Sequence, residues 1–285
     1  MIEIGKINKL IVEGAGSEGF TLRDADSDAQ VFMPRALLSP TFGAGSLKTN
    51  EEIEAFVYLD SNNQRMLASP QAPVAVVGEF AHLRVVEVQE FGAFLDWGIA
   101  KDLLVPGNEQ KIKLRAGDWA LVRICLEQGT NRVYGTTKLG KHIEGSQFDV
   151  EENDKVNLVP VEETELGYRC IINKKFIGMI YHNEIFSPVK IGKTYPAFVK
   201  KVREDGLVDA AMQVQGVRNL FESKTKVLEI IKENGGKVSL TDKSPPEQIQ
   251  ALFGMSKKSF KSAVGMLYKE RLISIKKDGI ELTRK

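Results

Sequence analysis

Hydrophobic and polar residues alternate in short runs along most of the first 220 residues, as in β-strands. Two clear runs are AHLRVVEV at 81–88 and YPAFVKKV at 195–202, and both are rich in β-branched residues. Turn residues bound such runs, and Asp205-Gly206, for example, follows the second one. The pattern therefore predicts that residues 1–220 are built mainly from strands.

The strand pattern recurs three times. Each copy has a glycine beside an aromatic residue, a short apolar segment, a longer apolar strand and a last strand after a polar turn. The copies contain Gly19-Phe20, Phe91-Gly92 and Gly167-Tyr168. An internal repeat of about 70 residues indicates an array of small domains. Roughly five strand-like runs in each copy suit a five-stranded Greek-key barrel of the OB type.

After Phe221 the spacing of apolar residues changes from about 2 to about 3.6, which indicates helices. Apolar residues at 227–231 form one face of a first helix. We expect Ser244 to cap a second helix and Ser256 to cap a third, with a hairpin around Asp278-Gly279 at the end. The order helix, strand, helix, turn, helix, hairpin is typical of a winged helix-turn-helix.

These patterns predict a mainly β, multidomain chain. Three tandem five-stranded OB-fold barrels are expected at 1–70, 71–143 and 144–220, followed by an α+β winged helix-turn-helix at 221–285. The chain of 285 residues has room for two to four small domains.

Charge is unevenly distributed along the chain. The formal net charge is +1, yet residues 222–285 carry 14 basic and 8 acidic side chains, a net of +6. The preceding 221 residues therefore carry a net of −5. A basic C-terminal domain favours a polyanionic partner. The alternative is that these lysines only solvate a helical surface.

Motifs for catalysis or metal binding are absent from the sequence. His82, His142 and His182 lack metal-type spacing to other ligand residues, and no P-loop, GxSxG or HExxH pattern occurs. We therefore expect no enzyme activity, catalytic residue, metal or cofactor. Cys125 and Cys170 lie in apolar strand patterns, which predicts free buried thiols and a cytoplasmic location. No apolar run approaches the roughly 18 residues of a spanning helix, so we expect no membrane association.

The segment FGAFLD at 91–96 closely resembles the signature of the S1 RNA-binding domain, an OB-fold module. The resemblance implies that Phe91 and Phe94 stack on bases and that Arg132 contacts a base or a phosphate. The chain departs from the pattern at Pro106, where S1 domains have a histidine, and at Gln128, where they have an aspartate. The alternative is that the two phenylalanines simply fill the barrel.

Other candidate RNA contacts are basic residues, some with aromatic neighbours, as a single-stranded groove requires. In the third copy they are Tyr168, Lys174, Phe176, Lys200, Lys201 and Arg203, and in the winged domain they are Lys257, Lys258, Lys261, Lys276 and Lys277. Solvated hairpin lysines are the alternative in the third copy. The first two turns of the third helix lack Arg, Asn and Gln, so we expect phosphate contacts rather than base reading there.

Three S1-like barrels followed by a winged helix resemble, over essentially the whole chain, the conserved virulence factor B family of bacterial RNA-binding proteins. The segments that carry this resemblance are 91–98, 103–106, 178–186 and 204–209, although Ala210-Ala211 replaces the family's Leu-Ser. The resemblance implies a cytoplasmic RNA binder that affects gene expression. We expect a monomer that binds single-stranded RNA. The alternatives are a DNA-binding regulator that uses the winged helix, or a scaffold for ribosomal or RNA-decay proteins.

Overall fold

The structure of the chain is a computed structural model. It describes residues 1–38, 47–60, 65–185, 188–212, 215–276 and 278–283, with the backbone alone at 215–222. The chain forms two compact units, Met1–Met212 and Gln213–Lys285.

The first barrel is closed, with the strand order β1-β2-β3-β5-β4. Its strands are β1 (Ile7–Ala15), β2 (Gly19–Asp24), β3 (Gln30–Pro34), β4 (Glu52–Leu59) and β5 (Met66–Ser69). The third and fifth strands pair in parallel, Phe32 opposite Leu67, and this pairing seals the barrel. Side chains that alternate along the strands, such as Leu10, Val12 and Leu22, fill the core.

The second barrel keeps the same connectivity but is open along one seam. Its strands are β6 (Phe80–Gln89), β7 (Gly92–Leu95), β8 (Leu103–Pro106), β9 (Trp119–Leu126) and β10 (Val133–Thr136), and the helix α1 (Gly140–Glu144) follows. The strand order is β10-β9-β6-β7-β8. Within residues 65–185, which are all described, β8 and β10 make no backbone ladder. These two strands therefore lie side by side without the parallel pairing that closes the other two barrels.

The third barrel is closed, with the order β11-β12-β13-β15-β14. Its strands are β11 (Lys155–Thr164), β12 (Gly167–Ile172), β13 (Phe176–Tyr181), β14 (Tyr195–Val202) and β15 (Val208–Ala211). The third and fifth strands again pair in parallel, Gly178 opposite Val208.

The glycine of the repeat is required for the same structural reason in all three copies. Gly19, Gly92 and Gly167 each pair with the last residue of the next strand. A Cβ atom there would lie 2.2, 2.6 and 2.0 Å, respectively, from a carbonyl oxygen of that strand. The two backbones approach too closely for any side chain, so the barrel geometry requires glycine at this point.

The C-terminal unit is a winged helix-turn-helix. Its elements are α2 (Gln215–Glu233), β16 (Lys237–Val238), α3 (Pro246–Phe253), α4 (Lys257–Lys269), β17 (Ile273–Lys276) and β18 (Gly279–Leu282). The rings of Phe253 and Phe260 pack 4.6 Å apart in its core and join α3 to α4. The three strands form a sheet in the order β16-β18-β17.

The helix caps agree with the sequence in one case and differ in another. The hydroxyl of Ser256 accepts a hydrogen bond from the backbone N–H of Ser259 at 3.2 Å and caps α4 as expected. The expectation for Ser244 is wrong, because Pro245 occupies the N-cap position of α3 and makes no side-chain cap bond. The Ser244 hydroxyl instead accepts a hydrogen bond from the N–H of Thr241.

The predicted fold class is confirmed: three five-stranded OB-type barrels precede a winged helix domain. The exact domain boundaries stay predictions. Among the described residues, no helix has the length and apolar character needed to cross a membrane.

Candidate nucleic-acid interface

Phe91 and Phe94 lie together on the surface of the second barrel. Phe91 is in the turn before β7 and is 58% exposed. Phe94 is half-buried on the outer side of β7, between Glu87 of β6 and Leu104 of β8. The two rings meet edge to face with their centroids 5.8 Å apart. Because Phe91 belongs to the turn, strand alternation does not separate the pair, and neither ring fills the barrel.

A cavity of about 630 Å³ lies along the open seam between β8 and β10. We call it the seam cavity. Phe91, Phe94 and Arg132 all line it, and Tyr134 of β10 is one of three further aromatic residues in its lining. Arg132 is exposed and comes immediately before β10. The structure thus brings together the three residues that the sequence assigned to the S1 pattern of this copy.

The first barrel forms part of the same cavity through Tyr58 and Leu59 at the end of β4. Phe56 and Tyr58 point away from the first barrel's core and pack against the second, where Phe56 meets Trp97 edge to face at 5.1 Å. Lys101 donates a hydrogen bond to the carbonyl of Leu59 at 2.9 Å and lies 5.2 Å from the Tyr58 ring. Burial lowers the pKa of Lys101. Repeat periodicity gave no signal for these contacts, because they join different copies.

The polar groups of the seam cavity include hydrogen-bond donors and acceptors. Asp102, Glu109 and Glu127 bring carboxylates, and Asn108 brings an amide. Burial, with the neighbouring carboxylates of Asp96 and Glu87, raises the pKa of Asp102. Aromatic rings beside an arginine can stack on bases, and acceptors can bind the amino groups of base edges.

The two aromatic residues proposed in the third barrel do not form a comparable face. Phe176 is 3% exposed and packs on Phe148 in the core, with ring centroids 5.1 Å apart. Tyr168 takes the register position of the buried Ala93 and packs half-buried against the same core. The assignment of Phe176 as a stacking residue is therefore wrong, because the strand register turns its ring inward. Tyr168 is likewise turned toward the core.

Lys174 and Lys200 make structural contacts within the N-terminal unit. The ammonium of Lys174 donates to the carbonyl of Val74 at 2.6 Å, which links the third barrel to the segment before the second. Lys200 pairs with Glu184 at 2.5 Å, and the side chain of Glu184 is only 3% exposed. Both lysines therefore make contacts within the protein and neither lines the seam cavity, while their role as RNA contacts of the third barrel stays a prediction.

Arg203 and Lys201 differ in their surroundings. The guanidinium of Arg203 pairs with Asp205 at 2.5 Å and with Asp209 at 3.7 Å. The hydroxyl of Tyr181 also donates to Asp209. Two carboxylates thus balance the charge of Arg203, whereas Lys201 is exposed to solvent.

In the winged unit, Lys258 and Lys261 are exposed on α4. Lys257 is half-buried, and its ammonium lies 3.4 Å from the carbonyl of Lys243. Lys276 pairs with Glu281 of the neighbouring strand at 2.5 Å. Lys277 lies outside the described residues.

Sequence reasoning missed two further residues on α4. Tyr268 is 56% exposed, and Lys269 is exposed beside it. Tyr268 and Lys269 follow Lys261 by seven and eight residues, which is about two helical turns, so both continue the side of the helix that carries Lys258 and Lys261.

Two family models match parts of the chain. The model described as S1 domain matches residues 4–69, and the CvfB-like winged helix domain matches residues 225–282. The S1 match therefore falls on the first barrel and not on the copy that carries FGAFLD. Both domain types support nucleic-acid binding.

Relatives are similar along most of the chain. Conserved virulence factor B of Staphylococcus epidermidis (strain ATCC 12228) is 25% identical over 82% of this chain and 81% of its own. Conserved virulence factor B of Staphylococcus haemolyticus is 23% identical over 99% and 95%, respectively. A solved multidomain protein with nucleic acid binding domains from Streptococcus pneumoniae aligns over 98% of both chains, at 20% identity and a TM-score of 0.39. The comparisons confirm that the chain resembles the conserved virulence factor B family, with an S1 domain near its start and a CvfB-like winged helix domain near its end.

Proposed function

We propose that this protein is a non-enzymatic RNA-binding protein that regulates gene expression after transcription. The observation that carries the proposal is the surface pair of the exposed Phe91 and the half-buried Phe94, which line the seam cavity together with Arg132. Each base stacked on an aromatic side chain contributes roughly 1–3 kcal/mol.

The geometry of the seam cavity favours a single strand over a duplex. Its rings can reach only the faces of unstacked bases, which a base-paired helix keeps covered. The cavity of about 630 Å³ offers room for bases but not for a double helix. Selectivity among bases would come from the carboxylates and from Asn108.

The winged helix domain supplies a different kind of contact. Lys258 and Lys261 project into solvent from α4, and residues 222–285 carry a net charge of +6. Cations of this kind bind the phosphate backbone without reading sequence. The two domains therefore have separate roles in RNA binding: the second barrel holds bases, and the winged domain adds electrostatic affinity.

Fluorescence anisotropy with labelled oligonucleotides tests the proposal. We expect the full-length protein to bind uridine or adenosine oligomers at micromolar concentration or below. The logarithm of the affinity should fall with the logarithm of salt concentration by about 0.7 for each phosphate contacted. Unlabelled duplex DNA should compete poorly.

Two results would replace this proposal with another. Stronger binding to duplex DNA than to single strands would favour a DNA-binding regulator. Absence of salt-sensitive RNA binding, together with a protein partner that co-purifies after nuclease treatment, would favour a scaffold.

A further inference from the structure

A second cavity, of about 900 Å³, lies between the second and third barrels. We call it the inter-barrel cleft. Its floor is apolar and includes Leu121, Ile177 and Leu207, and its rim is charged. The basic residues of the rim are Lys111, Lys138, Lys141 and Arg169.

The cleft occupies the same place on the third barrel as the seam cavity does on the second. Arg169 comes two residues after the repeat glycine of its barrel, at the register position of Phe94. Leu207 immediately precedes the last strand of the third barrel, as Arg132 does in the second. Phe94 and Arg132 line the seam cavity, and their equivalents Arg169 and Leu207 line the inter-barrel cleft. The two cavities are therefore the same face of the OB fold, seen in two neighbouring copies.

The two cavities adjoin each other at Glu109, which lines both. The carbonyl of Glu109 accepts hydrogen bonds from the N–H of Thr137 at 3.1 Å and from the hydroxyl of Thr136 at 3.3 Å. These bonds fix the segment between the cavities to the end of β10. Glu109 thus marks the place where the linings of the two cavities meet.

The packing of the second barrel against the third is tight. Phe80 donates its N–H to the carbonyl of Lys174 at 2.6 Å and is buried in a cluster with Ile171 and Ile177. A Cβ atom on Gly206 would lie 2.0 Å from the carbonyl of Ile143 in α1. Among the described residues that line the cleft none is aromatic, so its apolar floor offers bases no ring on which to stack.

The lining of the cleft has four basic side chains and three carboxylates, those of Glu109, Glu144 and Asp205, and Asp205 already pairs with Arg203. This excess of positive charge suits a sugar–phosphate backbone. Lys111, Lys138 and Lys141 are exposed, and their side chains have no hydrogen-bond or ion-pair partner among the described residues. Arg169 pairs with Glu162 at 2.9 Å. An arginine also replaces the aromatic ring of Phe94 at the equivalent position. The chemistry at this face thus changes from stacking in the second barrel to cation–phosphate contact in the third.

We propose that one RNA strand runs from the seam cavity past Glu109 into the inter-barrel cleft, where Lys111, Lys138 and Lys141 contact its phosphates. The inference rests on the proposed function and extends it, because it defines a path and makes the third barrel part of the same site.

Binding of oligomers of two lengths tests the path. A uridine oligomer of about 5 nucleotides should fill the seam cavity alone, and one of about 14 should reach the cleft, since OB folds bind roughly 4–16 nucleotides. The test variant carries Lys111→Ala, Lys138→Ala and Lys141→Ala in the full-length protein. A control variant with Lys9→Ala, Lys155→Ala and Lys190→Ala makes the same change in charge elsewhere on the barrels.

We expect the test variant to bind the longer oligomer on the order of tenfold more weakly than wild type. The slope of the logarithm of its affinity against the logarithm of salt concentration should be smaller by about 2, since each of the three lost phosphate contacts contributes about 0.7. Its affinity for the short oligomer should match that of the control variant. Equal affinities of the test and control variants for the longer oligomer would overturn the path while leaving the seam site intact. A wild-type protein that binds neither oligomer would overturn the proposed function and the path together. Thermal melting checks that both variants remain folded.

Discussion

Replacement of Phe91 by alanine is the sharpest test of the stacking face. The side chain is 58% exposed, and its ring contact is with the surface residue Phe94 at 5.8 Å. Its removal therefore opens no cavity in the core, and we expect stability to change by no more than about 0.5 kcal/mol. Loss of one stacked base costs roughly 1–3 kcal/mol of binding energy, which is about a 5- to 150-fold rise in Kd.

Two further variants separate stacking from other effects of the substitution. Phe91→Leu keeps apolar volume without an aromatic face, so its affinity should fall between those of wild type and Phe91→Ala. Trp119→Ala removes another exposed aromatic ring of the same barrel, 61% exposed on β9, which lines neither cavity. Anisotropy titration with a labelled uridine oligomer at fixed salt gives the Kd of wild type and of the three variants. A Phe91→Ala protein that binds within twofold of wild type, or no worse than Trp119→Ala, refutes the reasoning.

Three predictions concern the fold and the buried groups. Gly92→Ala should lower the free energy of unfolding by about 1–3 kcal/mol because its Cβ would meet a carbonyl oxygen at 2.6 Å. The control Gly14→Ala, whose Cβ meets nothing within 4 Å, should melt like wild type. Equal melting temperatures of the two variants would disprove the steric requirement for glycine at position 92. Lys200→Met should cost about 1–3 kcal/mol because it removes the ion pair to the buried carboxylate of Glu184. Reduced RNA affinity with unchanged melting would show that this lysine binds ligand instead. Burial raises the pKa of Cys170 to about 12, so near neutral pH its thiol should react with Ellman's reagent only after unfolding in urea; modification of Cys170 in the native protein would contradict its burial.

The repeat could be read from the sequence because its key residues are dictated by local geometry. Gly19, Gly92 and Gly167 mark the point where two strands approach too closely for a side chain. Ser256 and Gly254 mark the boundaries of helices in the same way, by a cap bond and a left-handed backbone with φ of 61°. Such signals depend on neighbours along the chain, which a sequence displays directly.

The surroundings of the candidate side chains could not be read in that way. Phe176 matches the composition of a stacking site, but register, which depends on pairing with other strands, turns it into the core. Lys200 belongs to a basic cluster in sequence and to an ion pair with Glu184 in space. The contribution of Tyr58 to the seam cavity joins two copies of the repeat. Each of these contacts spans residues that no motif or period connects.

Photocrosslinking of a 4-thiouridine oligomer, followed by mass spectrometry of the crosslinked peptides, tests the central claim most directly. A strand that stacks in the seam cavity should crosslink to the peptide containing Phe91 and Phe94, and the yield should fall in Phe91→Ala. Crosslinks confined to the winged helix domain, or spread over the surface without enrichment at these two residues, would contradict the assignment of the second barrel as the base-binding site.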